Sequence, residues 1–465
     1  MSRTDHKAAT VAGLAAGFLD GSSSPAEAMD ATLAAIDALD DRLGAWQAVY
    51  EDQARQGAEA ATAAIESGHR IGPFHGIPFA LKDIVDVEGM VTTAGSAAMA
   101  DRVSPSTATI ARRLVAAGGV LVGKTKTVEI ALGGWGTNQH MGTPWNPWDA
   151  TTKRTPGGSS SGSAVAVSSG MVPCAVGTDT GGSVRLPAAF CGIVGLKTTE
   201  GLLPIDGIVP LSPTLDTPGP LARTVEDAAL MFEVLAGRDP VELDRDWREH
   251  RGLFSQLDRG IAGLCLATIG RREREGIDAA VLAAFDRSLD LLANLGAEIV
   301  EVDPPTPFDS MKEATFAIVT PEAYAQHGVL FEDRDAPLDE HVRSRILPGR
   351  DILARDYIAA LNQRPADQAE FLRVLDGYDA YLTPTVTTPA LPVEGIDESD
   401  TPARFTRAGN YLGLCGVSIP MGLDPGGLPH ALQILCRGRG EALALRIAAG
   451  FETAHGDLGR PPLSV

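Results

Sequence analysis

The sequence predicts one large α/β domain, and three observations carry that prediction. Residues 107–117, TATIARRLVAA, space their apolar side chains as a helix does; Gly118-Gly119 stops it, and Val120-Leu121-Val122 follows as a strand. The same order returns within 278–303, where VLAAFDRSLDLLANLGAEIVEVD reads as a helix, a glycine stop and a strand. No internal repeat or low-complexity linker divides the 465 residues, and 44% of them are hydrophobic, so one sizeable core is within reach. Aromatic residues make up only 5%, so that core must rest on Ala, Val, Leu and Ile.

Within an N-terminal helical segment, 1–67, residues 8–67 are Ala-rich and read as helices. Ser24-Pro25-Ala26-Glu27 marks a helix start there, with Ser at the cap, Pro in the first turn and Glu27 three residues on. Gly76-Ile77-Pro78-Phe79-Ala80-Leu81 is a short apolar run bounded by breakers, a buried strand that delivers Lys82 at its end. Helix–strand alternation continues through 160–240, and 70–240 is expected to form the catalytic core. Segments 240–260 and 393–403 are the most polar and least regular, and read as surface excursions. Residues 305–375 look mainly helical and are expected to cover one side of the site. Tyr381–Thr385 and Val417–Pro420 return as strands, and 441–455 closes the chain with a helix.

Charge and cysteine usage narrow the function classes. Asp and Glu number 60 against 39 Lys and Arg, a formal charge of −21 at pH 7. A nucleic-acid surface needs a basic face, and an anionic membrane attracts one, so neither partner is expected. The five cysteines are scattered, with no CxxC and no Cys/His cluster, which supports neither a disulfide framework nor a zinc site. Reduced thiols in a cytoplasmic compartment are the simplest reading. The N-terminus lacks a convincing signal-peptide apolar core, and no run of about 18 apolar residues occurs.

Residues 157–197 read GGSSSGSAVAVSSGMVPCAVGTDTGGSVRLPAAFCGIVGLK and carry the most functional information. They hold two Gly-Gly-Ser triplets, Gly157-Gly158-Ser159 and Gly181-Gly182-Ser183. Glycines beside a serine let the backbone turn sharply and bring N–H groups close to a substrate. Acyl transfer needs that combination: a hydroxyl nucleophile with N–H donors aimed where an oxyanion forms. Ser183 is the expected nucleophile, with the N–H groups of Thr180, Gly181, Gly182 and Ser183 converging as an oxyanion hole. An isolated triplet of this kind would read as a turn with a capping serine.

The stretch 157–197, together with GIPFALKD at 76–83, closely resembles the amidase signature family, and similarity extends through the late YLTPT and GLPHALQI segments to the closing helix. The resemblance implies a single domain built on a central, mixed, twisted sheet with helices on both faces. It implies amide hydrolysis by a Ser–Ser–Lys triad, without metal or organic cofactor. Ser183 would attack; Ser159, on an unusual cis peptide, would relay protons; Lys82 would be the base, with Ser160 as fallback for the relay. An ordinary lysine, pKa about 10.4, is protonated at neutral pH. Desolvation at the end of an apolar strand would lower that value. Ser159-Ser160-Ser161-Gly162 stands where the family more often has Ser-Ser-Gly-Gly. The resemblance also places the substrate pocket beside Gly133, Gly134 and Trp135, with Trp135 either an apolar wall or plain core.

Several neighbours are read as structural or left open. Asp83 reads as structural. Arg185 and Asp179 flank Ser183; Arg185 either meets a substrate carboxylate or has a structural role, positioning the loop through buried pairing, and Cys191 reads as core because no His–Asn partners accompany it. Residues 118–125, GGVLVGKT, match the phosphate-loop pattern letter for letter, yet Val120-Leu121-Val122 are themselves the strand, so Lys124 is not expected to hold a nucleotide. The expected substrate is a small-molecule amide; relatives leave a homodimer open. The alternatives are the glutaminase subunit of a glutamyl/aspartyl-tRNA amidotransferase, which would need partner subunits, a urea- or carbamate-type hydrolase of the same family, and a catalytically dead binding protein.

Overall fold

Alternating side chains along the strands separate two apolar layers, one on each face of an eleven-stranded sheet. The computed structural model describes residues 10–465. The strands are β1 (Trp46–Val49), β2 (Pro78–Lys82), β3 (Val120–Thr125), β4 (Cys174–Asp179), β5 (Val194–Lys197), β6 (Thr217–Ala222), β7 (Cys265–Thr268), β8 (Glu298–Glu301), β9 (Ala380–Pro384), β10 (Cys415–Leu423) and β11 (Pro429–Cys436). Across the sheet they run β1-β3-β2-β4-β6-β5-β10-β11-β9-β7-β8. β2 is parallel to β3 and β4, and β7 is parallel to β8 and β9. The other pairs are antiparallel, so the sheet is mixed, as the resemblance implies.

β2 shows how period-two alternation builds the layers. Phe79 and Leu81 enter one cluster, with Ile110 and Leu114 of the helix Thr109–Ala116 and Leu230 of the helix Val225–Leu235. Ala80 enters the other, with Leu33 of the helix Pro25–Leu43, Ala54 of the helix Glu51–Glu66 and Val165 of the helix Ser161–Ser168. Both faces are therefore covered by helices, and the residue after Leu81, Lys82, points to the Ala80 side.

The expected helix start at Ser24 is a full capping box. Ser24 Oγ accepts from Glu27 N at 3.2 Å, and a Glu27 carboxylate oxygen accepts in return from Ser24 N at 2.8 Å. The N-terminal helical segment holds three described helices, Val11–Asp20, Pro25–Leu43 and Glu51–Glu66, with the short strand β1 between the last two; residues 8 and 9 lie outside the described residues.

Two segments depart from expectation. Residues 240–260 are not irregular: Asp239 caps a helix Pro240–Arg248 by accepting from Val241 N and Glu242 N, both at 3.0 Å, and a second helix, Gly252–Leu257, follows. Segment 393–403 is not merely an excursion, because Glu398 is buried and pairs with Arg345 at 3.0 Å. The phosphate-loop lookalike is settled by β3, which runs through Thr125 and so contains Gly123-Lys124-Thr125. A Cβ on Gly123 would lie 2.1 Å from Ala48 O of β1, so this glycine serves close strand packing. Among the described residues no helix is long and apolar enough to cross a membrane.

Candidate active site

Lys82 ends β2, whose parallel pairing with β4 sets the C-terminal ends of both strands side by side. The side chain is fully buried. Its Nζ donates to Ser159 Oγ at 2.7 Å and to Thr178 Oγ1 of β4 at 2.8 Å. Burial drives its pKa from 10.5 down to about 7, against the opposing pull of the Asp216 and Asp179 carboxylates. A substantial neutral fraction therefore exists at physiological pH, and a neutral amine can accept a proton.

Ser159 follows a cis peptide bond from Gly158. The segment is pinned from both sides. Gly157 N donates to Trp135 O at 3.1 Å, Gly158 N donates to Gly134 O at 2.8 Å, and Ser159 O accepts from Thr127 Oγ1 at 3.0 Å. A Cβ on Gly158 would meet Gly133 O at 2.6 Å, so only glycine permits this approach. Ser160 is engaged elsewhere: its hydroxyl donates to Thr178 O and accepts from Thr178 N, both at 3.3 Å. That leaves Ser159 as the serine in contact with Lys82.

The second triplet is shaped by Asp179, the last residue of β4. Its carboxylate accepts from Arg185 Nη2 at 2.8 Å and Nε at 3.0 Å, from Val184 N at 3.1 Å and from Gly182 N at 2.7 Å. Burial alone would raise the Asp179 carboxyl, but the Arg185 guanidinium overrides it and holds the pKa at about 2. Arg185 is fully buried and also donates to Gln433 and Asn410, both at 2.7 Å, so it is a structural clamp and not a substrate ligand. Gly182 corrects the expected oxyanion hole: its N–H is taken by Asp179 and is unavailable to substrate. The N–H groups of Thr180, Gly181 and Ser183 have no acceptor among the described residues. Ser183 O accepts from Ser160 N at 3.2 Å, which ties the two triplets together, while Ser183 Oγ forms no hydrogen bond to a described residue.

Below this loop lies Asp216, whose carboxylate accepts from Leu211 N at 2.9 Å, Ser212 N at 3.0 Å and the Thr180 hydroxyl. Burial pushes it up to about 6. Asp83, beside Lys82 in sequence, faces away and pairs with Lys124 at 3.4 Å, both side chains buried. Cys191 is buried, burial raises its thiol pKa, and it lies outside the cavity.

Thr180, Gly181 and Ser183 open into a cavity of about 390 Å³. Gly133 and Gly134 line it, where the resemblance places the pocket. Trp135 does not: it stacks on Phe190, with centroids 6.1 Å apart, and its Nε1 donates to Asp400 O at 3.1 Å, so it supports the wall from behind. Three further parts of the lining escape sequence reasoning. The helix Met311–Glu332 presents Lys312, Thr315, Phe316 and Val319, spaced as one helical face. Segment 398–403 supplies Glu398, Ser399, Asp400, Thr401 and Ala403, and Arg407 adds a guanidinium. The 312/315/316/319 spacing was a readable signal; a lone arginine at 407 was none. Among the described residues no group of three or more His, Cys, Asp or Glu side chains is placed to hold a metal ion.

The site and the mixed sheet can be set beside known proteins. The family model described as Amidase matches residues 27–445. A glutamyl-tRNA(Gln) amidotransferase subunit from Anaeromyxobacter sp. (strain K) is 35% identical over 477 residues, covering 96% of each chain. A 2-amino-5-chloromuconic acid deaminase from Comamonas testosteroni is 36% identical over 443 residues, covering 91% of this chain and 92% of the other. The crystal structure of the peptide amidase from Stenotrophomonas maltophilia superposes with a TM-score of 0.82 at 30% identity, covering 97% of this chain and 98% of that one. The chain belongs to the amidase signature family, whose enzymes act on carbon–nitrogen bonds.

Proposed function

We propose that this protein is an amidohydrolase that cleaves the carbon–nitrogen bond of a small-molecule amide through a Ser183 acyl-enzyme. The observation that carries this reading is the 2.7 Å contact from Lys82 Nζ to Ser159 Oγ, made by a buried amine whose pKa lies near 7, behind the cavity that exposes Ser183. Neutral Lys82 accepts the Ser159 proton while Ser159 accepts that of Ser183, and Ser183 Oγ bonds to the carbonyl carbon. The carbonyl oxygen becomes an oxyanion facing the N–H groups of Thr180, Gly181 and Ser183; one such donor is worth about 3 kcal/mol of barrier. The relay returns its proton to the leaving nitrogen as the carbon–nitrogen bond breaks. Water then attacks the acyl ester and Ser183 recovers its proton. Ser159 Oγ is hydrogen-bonded to Lys82 and not to Ser183 in the free protein, and catalytic hydrogen bonds often tighten only in the complex. The five free cysteines suit a cytoplasmic compartment, where thiols stay reduced.

A second reading, the glutaminase subunit of a tRNA amidotransferase, is favoured by the relatives named as subunits of such an enzyme. The same triad would then release ammonia from glutamine for a partner protein. Ammonia and amine release from primary amides, anilides, ureas, carbamates and glutamine, compared between wild type and Ser183→Ala, separates the readings. Turnover of small amides that vanishes in the variant supports the amidohydrolase. Ammonia release confined to glutamine supports the second reading, and turnover that survives Ser183→Ala removes both.

A further inference from the structure

The cavity wall carries a cation that the chemistry of Lys82, Ser159 and Ser183 does not use. Arg407 is 5% exposed and lines the cavity. Among the described residues its guanidinium has neither an ion pair nor a hydrogen bond; its one ring contact is Phe316, whose centroid lies 5.5 Å from the guanidinium carbon. Lys312 is a second cation of the wall, half-buried and in no ion pair with a described residue, and the remaining charged groups are differently placed. Arg345 and Glu398 hold each other at 3.0 Å, Arg345 Nη1 also donates to Leu132 O at 3.1 Å, and the second Glu398 oxygen accepts from the Thr137 hydroxyl. Asp400 and Asp309 act on Arg407 only through space, and burial lowers its pKa to about 10 against their pull.

A guanidinium held at the cavity wall without a protein partner among the described residues keeps its N–H donors for whatever fills the cavity. Such a group is retained where a ligand supplies the acceptors, and its planar fork fits a carboxylate with two parallel hydrogen bonds. Its place relative to the reacting atoms is close. Thr406 Oγ1 donates to Gly181 O at 2.7 Å, and a Cβ built on Gly181 would stand 3.7 Å from Arg407 Cγ. Arg407 therefore flanks the loop that offers the Gly181 N–H. Leu186, Leu211 and Val319 add apolar surface to the same cavity.

We propose that Arg407 is a specificity-determining residue that binds a carboxylate carried by the substrate, so that the preferred substrates are short amides with an anionic group a few bonds from the scissile carbonyl. This rests on the acyl-transfer reading of Ser183. The test measures ammonia or amine release from two matched sets: a dicarboxylic acid monoamide against its methyl ester, and an N-acyl amino acid against its methyl ester. These place the carboxylate on the acyl half and on the amine half respectively. In the wild type, one carboxylate substrate should exceed its ester in kcat/KM by about tenfold or more, the scale of a charge-assisted hydrogen bond. In Arg407→Gln that ratio should fall toward one, mainly through KM, and Arg407→Lys should keep part of it. Equal or better use of both esters by the wild type overturns the proposal, even if Arg407→Gln fails to fold. An unchanged ratio in folded Arg407→Gln overturns it as well. Calorimetric titration of the dicarboxylic acid monoamide into Ser183→Ala, with and without Arg407→Gln, separates the two layers. Binding that needs Arg407, without wild-type turnover of any amide, keeps the carboxylate site and removes the hydrolase reading. Turnover of neutral amides without carboxylate preference does the reverse.

Discussion

Lys82 Nζ stands 2.7 Å from Ser159 Oγ, with both side chains sealed from solvent between the ends of β2 and β4 and the helix Ser161–Ser168. The apolar run Phe79-Ala80-Leu81 takes this lysine out of water, and that is why its pKa falls to about 7. Only the neutral amine can act as a base, so kcat/KM should rise with pH through a midpoint near 7 and level off above it. Lys82→Arg, cationic throughout, should be inactive at every pH. A profile that falls through 7 would contradict the assignment.

The same shift makes a stability prediction with a definite sign. The folded lysine titrates near 7 and the unfolded one near 10.5, so between these values the unfolded chain binds more protons. The Lys82 contribution to stability is complete above 10.5, shrinks as pH falls through that window, and is lost below 7. Lys82→Met should remove this component, and chemical denaturation of both proteins at pH 7 and pH 9 would measure it.

Arg185 and Asp179 form a buried pair that sets the geometry of the Ser183 loop. Arg185→Met would leave a buried carboxylate with its main charge partner gone, at a cost of about 3–5 kcal/mol. The expected result is a markedly lower melting temperature together with lost turnover. A variant as stable as the wild type would show that the loop does not depend on this clamp.

Gly182 has φ of +135°, and a Cβ there would come within 2.3 Å of Thr406 Oγ1. Gly182→Ala should displace either the Ser183 loop or the 406–407 segment and reduce kcat/KM by about tenfold or more, the scale of a misplaced reacting group. Full activity in this variant would mean that the loop relaxes without moving Ser183.

Lys124 belongs to a strand and to an ion pair with Asp83, whatever its motif suggests. Millimolar ATP should not shift the melting temperature, whereas Lys124→Met should lower it by leaving Asp83 buried without its cation. A nucleotide-dependent stabilisation would overturn this assignment.

Much of this arrangement was readable in the chain because its determinants are local. The apolar run before Lys82, the two glycine pairs and the Ser24 cap each act over a few residues. β6 was not readable: Thr217-Pro218-Gly219-Pro220 argues against a central strand, yet it pairs with β4 along its length, and a Cβ on Gly219 would lie 2.0 Å from Leu196 O. The side of the wall that Trp135 occupies depends on Phe190 and on the Asp400 carbonyl, both distant in sequence. Gly182 was misread because the acceptor of its N–H, Asp179, is also the partner of Arg185, a constraint that appears only when the loop closes. Arg407 gave no signal, since what distinguishes it is the lack of a partner in the folded protein.

The most direct test of the central claim is covalent trapping. Wild-type protein is treated with an active-site phosphonofluoridate between pH 6 and 9, and the adduct is located by peptide mass spectrometry. The account predicts one adduct, on Ser183, forming at a rate that rises with pH around 7 and abolished in Lys82→Arg. An adduct on Ser159 or Cys191, or labelling of Ser183 indifferent to Lys82, would contradict it.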